Sequence, residues 1–349
     1  MNSIAYLRHL EPDRNLPAPL VLAMDVGGTK TLAAVADTKG QVVALARGGG
    51  ANYQSIGLKP AKSQLVSLTR ELLDKAGATP QRIAWSAFAV AGADRNKDFF
   101  IISDLLKEVL PGRGHVLTND TLAALWAESP DGTGLALVSG TGTNCIGVNS
   151  RGVVAKVGGF GPFSGDIGYA ENIAYQAFVA VFMHLDGRSP ATVLREMFQE
   201  ALGVEALEDF CEFYFADSYN PPNLGSLAPL VFKAANQGDR VALRIINTCA
   251  RAMGRSAHTA LKRLGYGKDD APLVALGGSI LQKPEPPLLT DALIAAIKAR
   301  HPRADIRMLH TEPVSGVVFL ALTELAGKNL SAAVRSRVVK TVAGAAKTL

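Results

Sequence analysis

Residues 20–36 read LVLAMDVGGTKTLAAVA and contain two apolar runs on either side of a Gly-Gly-Thr turn. The runs, residues 20–25 and 31–36, have the length and the partly β-branched composition of buried strands. Glycine between them permits the positive φ angles and close approaches that a tight turn requires. We therefore predict a β-hairpin with a glycine tip, followed by a third strand over residues 41–46.

Downstream of this hairpin, the hydrophobic pattern alternates between helical and strand spacing. Leu65, Leu68 and Leu72 recur as on one face of a helix. Four further elements are predicted, in order: a buried strand over 83–90, a helix over 99–109, a short strand over 115–118 and a helix over 121–127. Three strands followed by alternating helices and strands indicate an α/β sheet.

The same pattern returns 114 positions later, where SGTGT (139–143) takes the place of DVGGT (25–29). The second tip also lies between two apolar runs, and we therefore predict two related halves. The remaining pattern predicts helices from Ile173 onward, including 206–215 and 227–264, a strand over 273–276 and a long apolar helix over 314–325. No low-complexity linker separates the halves, so we expect a cleft between closely joined domains.

These patterns give predicted domains of 18–134 and 135–326, the second with a helical insert, and a basic C-terminal helix over 327–349. The composition, 48% hydrophobic and 19% charged over 349 residues, is that of a globular chain that needs no disulfides. The net charge of +5 comes from the tail, which holds five basic residues and no acidic one. No aromatic residue is interleaved with these charges, so we predict a helix packed on its own domain and no nucleic-acid partner.

The cysteines and the apolar segments indicate the cellular compartment of the protein. Cys145, Cys211 and Cys249 are an odd, widely spaced set, which disfavours a disulfide framework or a structural zinc site. The first nineteen residues lack the apolar core of a secretory signal, and apolar stretches such as 173–183 are too short to cross a bilayer. We predict a cytoplasmic protein without a membrane partner.

The two Gly/Thr tips are candidate phosphate-binding loops. Consecutive backbone N–H groups and threonine hydroxyls can surround phosphate oxygens, although a hairpin that simply needs glycine explains either tip alone. Neither tip has the Walker A spacing or the GxGxxG pattern of dinucleotide folds. Lys30, beside the first tip, either contacts phosphate or is a solvated turn residue.

Three ordered motifs resemble those of the superfamily that contains sugar kinases, heat-shock ATPases and actin. DVGGTKT (25–31) and VSGTGTN (138–144) resemble its two phosphate motifs, and ALGGSI (275–280) resembles its adenosine motif. TND (118–120), GGFG (158–161) and GDIG (165–168) are similar to the N-acetylglucosamine kinase branch, which is grouped with the BadF/BadG/BcrA/BcrD-type ATPases. The resemblance implies two ribonuclease H-like (actin-like ATPase) domains with an interdomain cleft, and ATP and Mg²⁺ as cofactors.

The activity that the resemblance implies is ATP-dependent phosphorylation of an amino sugar, most simply of N-acetylglucosamine to its 6-phosphate, by a homodimer. A glucosamine kinase remains an alternative, as does an activator ATPase of a CoA-ester dehydratase or reductase. Such an activator needs cysteines that share an iron–sulfur cluster across a dimer, and the three cysteines here lack ligand spacing. A DNA-binding regulator would need a helix-turn-helix module, which nineteen leading residues cannot hold.

Two aspartates are candidates for the chemistry. Asp120 follows a short strand and is the candidate base that accepts the proton of the sugar hydroxyl. Its alternative role is the N-cap of the next helix, where the helix dipole would favour the ionised form. Asp25 is the candidate Mg²⁺ residue, acting through water, and its alternative role is that of a turn former.

The resemblance also implies binding residues. Those for the nucleotide are Gly28, Thr29, Lys30, Gly140, Thr141, Gly142, Thr143, Ala235, Gly277, Gly278 and Ser279. Those for the sugar are Asn52, Asn119, Asp120, Gly159, Phe160, Gly161 and Asp166. Ala235 is alternatively an ordinary helix end, and Asp166 alternatively caps the helix that starts near Tyr169. The branch usually has Gly-Asp-Glu-Gly at 165–168 and often Trp at Phe160, so the exact sugar stays open.

Overall fold

A computed structural model describes residues 4–207, 209 and 223–349. Residue 208 and residues 210–215 of the predicted helix, which include Cys211, lie outside this part. The strands are β1 Tyr6–His9, β2 Leu20–Val26, β3 Lys30–Asp37, β4 Val42–Gly49, β5 Ile83–Val90, β6 His115–Asn119, β7 Gly134–Ser139, β8 Thr143–Val148, β9 Val154–Val157, β10 Leu273–Gly277 and β11 Asp305–Met308. The helices are α1 Tyr53–Ile56, α2 Leu58–Lys75, α3 Asn96–Val109, α4 Asp120–Glu128, α5 Ala170–Leu185, α6 Leu194–Leu202, α7 Ala228–Asn236, α8 Arg240–Arg263, α9 Ser279–Gln282, α10 Leu288–Lys298, α11 Pro313–Ala326 and α12 Ala332–Ala346.

The two sheets repeat one topology. The first has the order β4-β3-β2-β5-β6-β1 and the second the order β9-β8-β7-β10-β11. In each, an antiparallel meander is extended on the other side by parallel strands. The prediction of two ribonuclease H-like halves is therefore confirmed. Strand β1 is the addition that the sequence analysis missed, because a four-residue edge strand reading YLRH carries no apolar alternation.

The first hairpin closes as its glycines require. The Gly27 N–H donates to the Lys30 carbonyl at 2.9 Å, and the tip lies against the end of β4. A Cβ atom on Gly50 would lie 2.0 Å from the Gly28 carbonyl oxygen, so only glycine permits this approach. The close packing fixes the first tip against the strand that leads to Asn52.

Helices cover both faces of the first sheet. One face packs on α2 and α3 through a core that includes Met24, Phe88 and Leu72. The other face packs on α11 and α12, where Val338 and Val342 are fully buried, as the amphipathic pattern of the tail predicts. One face of the second sheet packs against the group of helices from α5 to α10, and the other face packs against α4.

Helix α11 lies on the first sheet, although the sequence analysis placed residues 313–326 in the second predicted domain. The chain thus crosses between the sheets twice, once from α4 to β7 and once from β11 to α11. The boundaries 18–134, 135–326 and 327–349 remain a proposal, and the packing groups α11 with the first sheet. In the described ranges, no helix is both long enough and apolar enough to span a bilayer.

Helices α4 and α11 make a very close contact between the two sheets. A Cβ atom on Gly316 of α11 would lie 2.0 Å from the carbonyl oxygen of Ala123 and 2.7 Å from the amide nitrogen of Ala127, both in α4. Backbone atoms cannot move aside as the end of a flexible side chain can. The glycine therefore sets the distance between these two helices.

Gly316→Ala is expected to lower the free energy of unfolding by about 1–3 kcal/mol, because the added methyl group pushes α11 away from α4. Gly344→Ala is the matched control, since Gly344 lies in α12 with no heavy atom within 4 Å of a Cβ at that position. In the control, alanine should stabilise the helix by up to ~1 kcal/mol. Denaturant unfolding of both variants tests this expectation, and a stabilised Gly316→Ala protein would contradict it.

Candidate active site

Asp120 is the first residue of α4, at the point where β6 ends. The N-cap is Asn119, whose side-chain oxygen accepts a hydrogen bond from the Thr121 N–H at 3.0 Å. Asp120 Oδ1 accepts from the same N–H at 2.9 Å. The alternative role of Asp120 as N-cap is therefore filled by its neighbour, and its carboxylate keeps its second oxygen for other contacts.

The pKa of the Asp120 carboxyl is higher than the helix dipole alone would make it. Burial and the nearby charge of Asp94 raise the pKa of the Asp120 carboxyl to about 6, and the hydrogen bond from Thr121 and the charge of Lys156 only partly offset this. The expectation that the helix dipole would keep the pKa low is wrong, because desolvation outweighs the dipole at this position. A carboxylate with a pKa near 6 is a better proton acceptor at neutral pH.

A polar network joins the two halves beside Asp120. Lys156 of β9 donates to Asp94 at 2.5 Å, and Asp94 also accepts from Asn119 Nδ2 at 3.2 Å. Asn144, which follows the second tip, donates to Asn119 Oδ1 at 3.2 Å. Asn119 is 1% exposed. Since its side chain is occupied by these bonds, Asn119 orients the turn rather than presenting free polar atoms to a ligand.

Asp25 lies at the end of β2, beside the first tip. Burial, followed by the charge of Asp120, raises the pKa of its carboxyl to about 7, with a smaller opposing effect from Lys30. A buried carboxyl group whose ionisation is opposed by a second carboxylate would be stabilised by a divalent cation. The donor set therefore fits a Mg²⁺ ion held by few carboxylates and by water.

The two tips present unused hydrogen-bond donors. In the described part of the chain, the N–H groups of Gly28, Thr29, Thr141 and Gly142 donate to no other protein group. Open space surrounds the Cα atoms of Gly28 and Gly142, where a Cβ would meet no atom within 4 Å. The tips therefore have the form that phosphate oxygens require.

The third motif packs directly on the second tip. Gly278 has a φ of +94°, and a Cβ on it would lie 2.1 Å from the Ser139 carbonyl oxygen. A Cβ on Gly140 would lie 3.5 Å from Ser279 Oγ. These contacts place Gly140–Thr143 and Gly277–Ser279 at one site.

Lys30 of the first tip forms an ion pair with Glu312 at 3.7 Å.

A cleft of about 570 Å³ begins at Ser279 and continues along α7. Its lining residues are Ala170, Gly225, Ala228, Pro229, Phe232, Lys233, Asn236, Gln237, Ser279, Ile280, Lys283, Pro284 and Glu285. Ala235 is 3% exposed and packs into the core, so it does not line the cleft. Its neighbours on α7 do, and the volume suits a nucleoside.

Asp166 holds the loop that carries the predicted sugar residues. Its carboxylate accepts from the Gly159 N–H at 2.9 Å, from the Gly161 N–H at 2.8 Å and from Ser164 Oγ at 2.8 Å. Helix α5 starts without it, since the N-cap is Tyr169. The alternative role of Asp166 as N-cap is therefore not what the structure shows.

The remaining predicted sugar residues lie on either side of the network around Asp94. Asn52 caps α1 by accepting from the Gln54 N–H at 3.0 Å. Phe160 is 49% exposed, with the Lys156 ammonium 4.4 Å from its ring centroid. Sequence reasoning missed Asp94 and Lys156, which lie 62 positions apart; the position of Asp94 just after a buried strand was the available signal.

The chain as a whole is similar to several known proteins. The profile of the BadF/BadG/BcrA/BcrD ATPase family matches residues 22–321. The N-acetyl-D-glucosamine kinase of Dictyostelium discoideum is 28% identical over 87% of this chain and 98% of its own. The N-acetylmuramic acid/N-acetylglucosamine kinase of Clostridium acetobutylicum is 27% identical over the same shares. A crystal structure from Chromobacterium violaceum, provisionally assigned as an N-acetylglucosamine kinase, matches with a TM-score of 0.66 and 21% identity, covering 88% of this chain and 100% of that one.

Proposed function

Because the chain belongs to the BadF/BadG/BcrA/BcrD ATPase family, we propose that it is an ATP-dependent amino-sugar kinase that phosphorylates N-acetylglucosamine at its 6-hydroxyl. The observation that carries the proposal is the Asp120 carboxyl, with a pKa of about 6, beside two glycine-rich tips with free N–H groups. The names of the two sequence relatives support the choice of sugar.

In the proposed mechanism, the sugar hydroxyl lies against Asp120 and attacks the γ-phosphorus of ATP in line with the leaving oxygen. Asp120 accepts the hydroxyl proton as the new O–P bond forms and the bond to ADP breaks. The N–H groups of Gly28, Thr29, Thr141 and Gly142 stabilise the charge on the phosphate oxygens. The pair Asp94–Lys156 holds the two halves together beside the reacting groups.

Asp25 would hold Mg²⁺, which neutralises charge on the phosphates when bound. For the nucleotide base, we assign Phe232, Asn236 and Gln237 in place of Ala235, because they line the cleft that begins at Ser279. For the sugar, we assign Asn52, the loop containing Gly159, Phe160 and Gly161, and Asp120. Asn119 and Asp166 act on these groups by positioning them.

The rival activities differ in their requirements. A glucosamine kinase would use the same transfer chemistry with a free amine on the sugar. An activator ATPase would need cysteines at a surface. The two cysteines in the described residues, Cys145 and Cys249, are buried and form no disulfide, and burial raises the pKa of their thiols to about 12 and about 11. Thiols that are buried in this way do not favour a cluster shared between subunits.

ADP release in the presence of Mg²⁺ and ATP tests the proposal over a panel of N-acetylglucosamine, glucosamine, N-acetylmannosamine and glucose. N-acetylglucosamine should give the highest kcat/KM. Activity with glucosamine alone would favour the rival kinase, and no activity with any sugar would refute the kinase assignment. We also propose a cytoplasmic homodimer, which cell fractionation and sedimentation analysis would test.

The pH dependence of turnover should respond to Asp94. Asp120 accepts a proton only when ionised, so activity should fall as the pH drops through about 6. Asp94→Asn keeps an oxygen for Lys156 and Asn119 but removes the charge that raises the pKa of Asp120. The acidic limb of kcat/KM should therefore move down by about half a unit to one unit.

The control for this shift is Asp104→Asn, which removes an exposed carboxylate from α3. Its pH profile should coincide with that of the wild type. An unchanged or upward-shifted limb in Asp94→Asn would contradict the assignment of that limb to Asp120.

A further inference from the structure

A second cavity, of about 470 Å³, lies where the chain crosses between its two sheets. Its walls come from the end of α4, from β11 and the loop after it, and from α11 and α12. The lining residues are Ala127, Glu128, Arg307, His310, Phe319, Arg335, Ser336, Val339 and Lys340. Asp120 and Glu128 lie at opposite ends of α4, about 12 Å apart along the helix axis. The cavity is therefore separate from the candidate active site.

The cavity carries an excess of positive charge. Its one carboxylate, Glu128, is buried and is paired with His310 at 2.8 Å. Arg307 is paired with Asp305 at 2.6 Å and also donates to the Glu128 carbonyl at 3.2 Å. Arg335 and Lys340 have no carboxylate within salt-bridge distance in the described residues. Two cationic side chains thus line the cavity without a salt bridge, and the charge of Glu128 acts on Arg335 from a longer distance.

The guanidinium of Arg335 is held in one position. Its Nη2 donates to the carbonyl oxygens of Trp126 and Ala127 at 2.9 and 3.0 Å, and its Cζ lies 3.9 Å from the Phe319 ring centroid. Its Nη1 is buried without a hydrogen-bond partner among the described residues, and burial lowers the pKa of this group. The charge of Glu128 offsets part of this cost of burial, and an anion in the cavity would offset more of it.

The walls also include an apolar part. Phe319, Val339 and Ala127 lie beside the cationic residues. A volume of this size holds a small metabolite rather than a single ion. A ligand with one charged group and a compact body of mixed polarity would match this combination of walls. Guanidinium and ammonium groups are the usual partners of phosphate.

We propose that this crossing cavity binds a small phosphate monoester of the size of a sugar phosphate, with Arg335 and Lys340 supplying the charge for its phosphate group. The same charged end would also accept inorganic phosphate. Because the walls belong to both halves of the molecule, occupancy favours one relative orientation of the two sheets. The proposal does not depend on the kinase activity, since none of the lining residues belongs to the candidate active site.

Isothermal titration calorimetry on the full chain tests the proposal with two probes, N-acetylglucosamine 6-phosphate and inorganic phosphate. Each titration contains excess ADP and N-acetylglucosamine, so that the active-site cleft is already filled. The wild type should still bind the sugar phosphate at one site per chain. Lys340→Glu should weaken this binding by about tenfold or more, because it reverses an exposed charge at the cavity. Lys340→Gln should give a smaller loss.

Arg337→Gln is the matched control. Arg337 lies on the same helix as Lys340 but donates to the Lys39 carbonyl at 3.1 Å and does not line the cavity. The affinity of Arg337→Gln for the sugar phosphate should equal that of the wild type. The melting temperatures of all the variants should agree. Tighter binding of the sugar phosphate than of phosphate would show that the apolar wall contributes, and equal binding would show that the phosphate group suffices. Absence of binding by both probes, or equal affinity in the wild type and folded Lys340→Glu, would overturn the proposal.

Discussion

Asp120→Asn is expected to lower kcat by about 100- to 10,000-fold while the affinity for ATP stays nearly unchanged. An asparagine has the same shape, and its oxygen can still accept the hydrogen bond from the Thr121 N–H. The amide cannot take up the proton of the sugar hydroxyl, so only the transfer step is affected. Steady-state kinetics with N-acetylglucosamine, together with calorimetric titration of ATP in the absence of sugar, would separate the two effects.

Asp291→Asn is the control for this substitution. Asp291 is an exposed carboxylate in the first turn of α10, so the change alters a helix terminus in the same way without touching the site. The control should keep wild-type turnover. Turnover of Asp120→Asn close to that of the wild type would remove Asp120 from the mechanism.

Asp166→Asn should lower kcat/KM for the sugar by about 10- to 100-fold and leave the KM for ATP largely unchanged. One oxygen of the wild-type carboxylate accepts from two backbone N–H groups and from a hydroxyl, and the other accepts from the Gly159 N–H as well. Asparagine keeps one oxygen, which is a weaker, uncharged acceptor, and its amide nitrogen cannot accept the remaining bond. The bonds that fix the shape of the loop with Gly159 and Gly161 would then be weaker. The expected result is a rise in the KM of the sugar that exceeds the fall in kcat.

Ser164→Ala supplies the comparison for this second variant. It removes one of the three donors to Asp166 and leaves both backbone N–H groups bound, so the loss of sugar affinity should be much smaller. Thermal unfolding would show whether either change acts through global stability. Equal losses for sugar and ATP in Asp166→Asn would indicate a general disturbance of the fold and contradict the positioning role.

The parts of the fold that depend on short stretches of sequence could be predicted. The apolar runs on either side of the Gly/Thr turns identified both hairpins, and their repetition after 114 positions indicated the two similar sheets that the structure contains. The turn before α4 was located because a strand, an aspartate and a helix follow one another directly. Local spacing was sufficient at these points.

What could not be predicted depends on contacts between distant residues. The pKa of Asp120 is set by its burial and by Asp94 and Lys156, which lie on different halves. The orientation of Ala235 follows from how α7 packs, and a helical sequence pattern in that segment does not reveal which residues line the cleft. The position of α11 required knowing that the chain returns to the first sheet after β11.

The return of α11 to the first sheet has a consequence for synthesis on the ribosome. Val21, Ala23 and Trp85 of the first sheet are fully buried, and the helix that covers their face begins only at Pro313. While the chain emerges, this face stays without its cover until residues 313–326 have been translated. The nascent first half therefore exposes an apolar surface that chaperones can recognise until α11 has left the exit tunnel and completed this core.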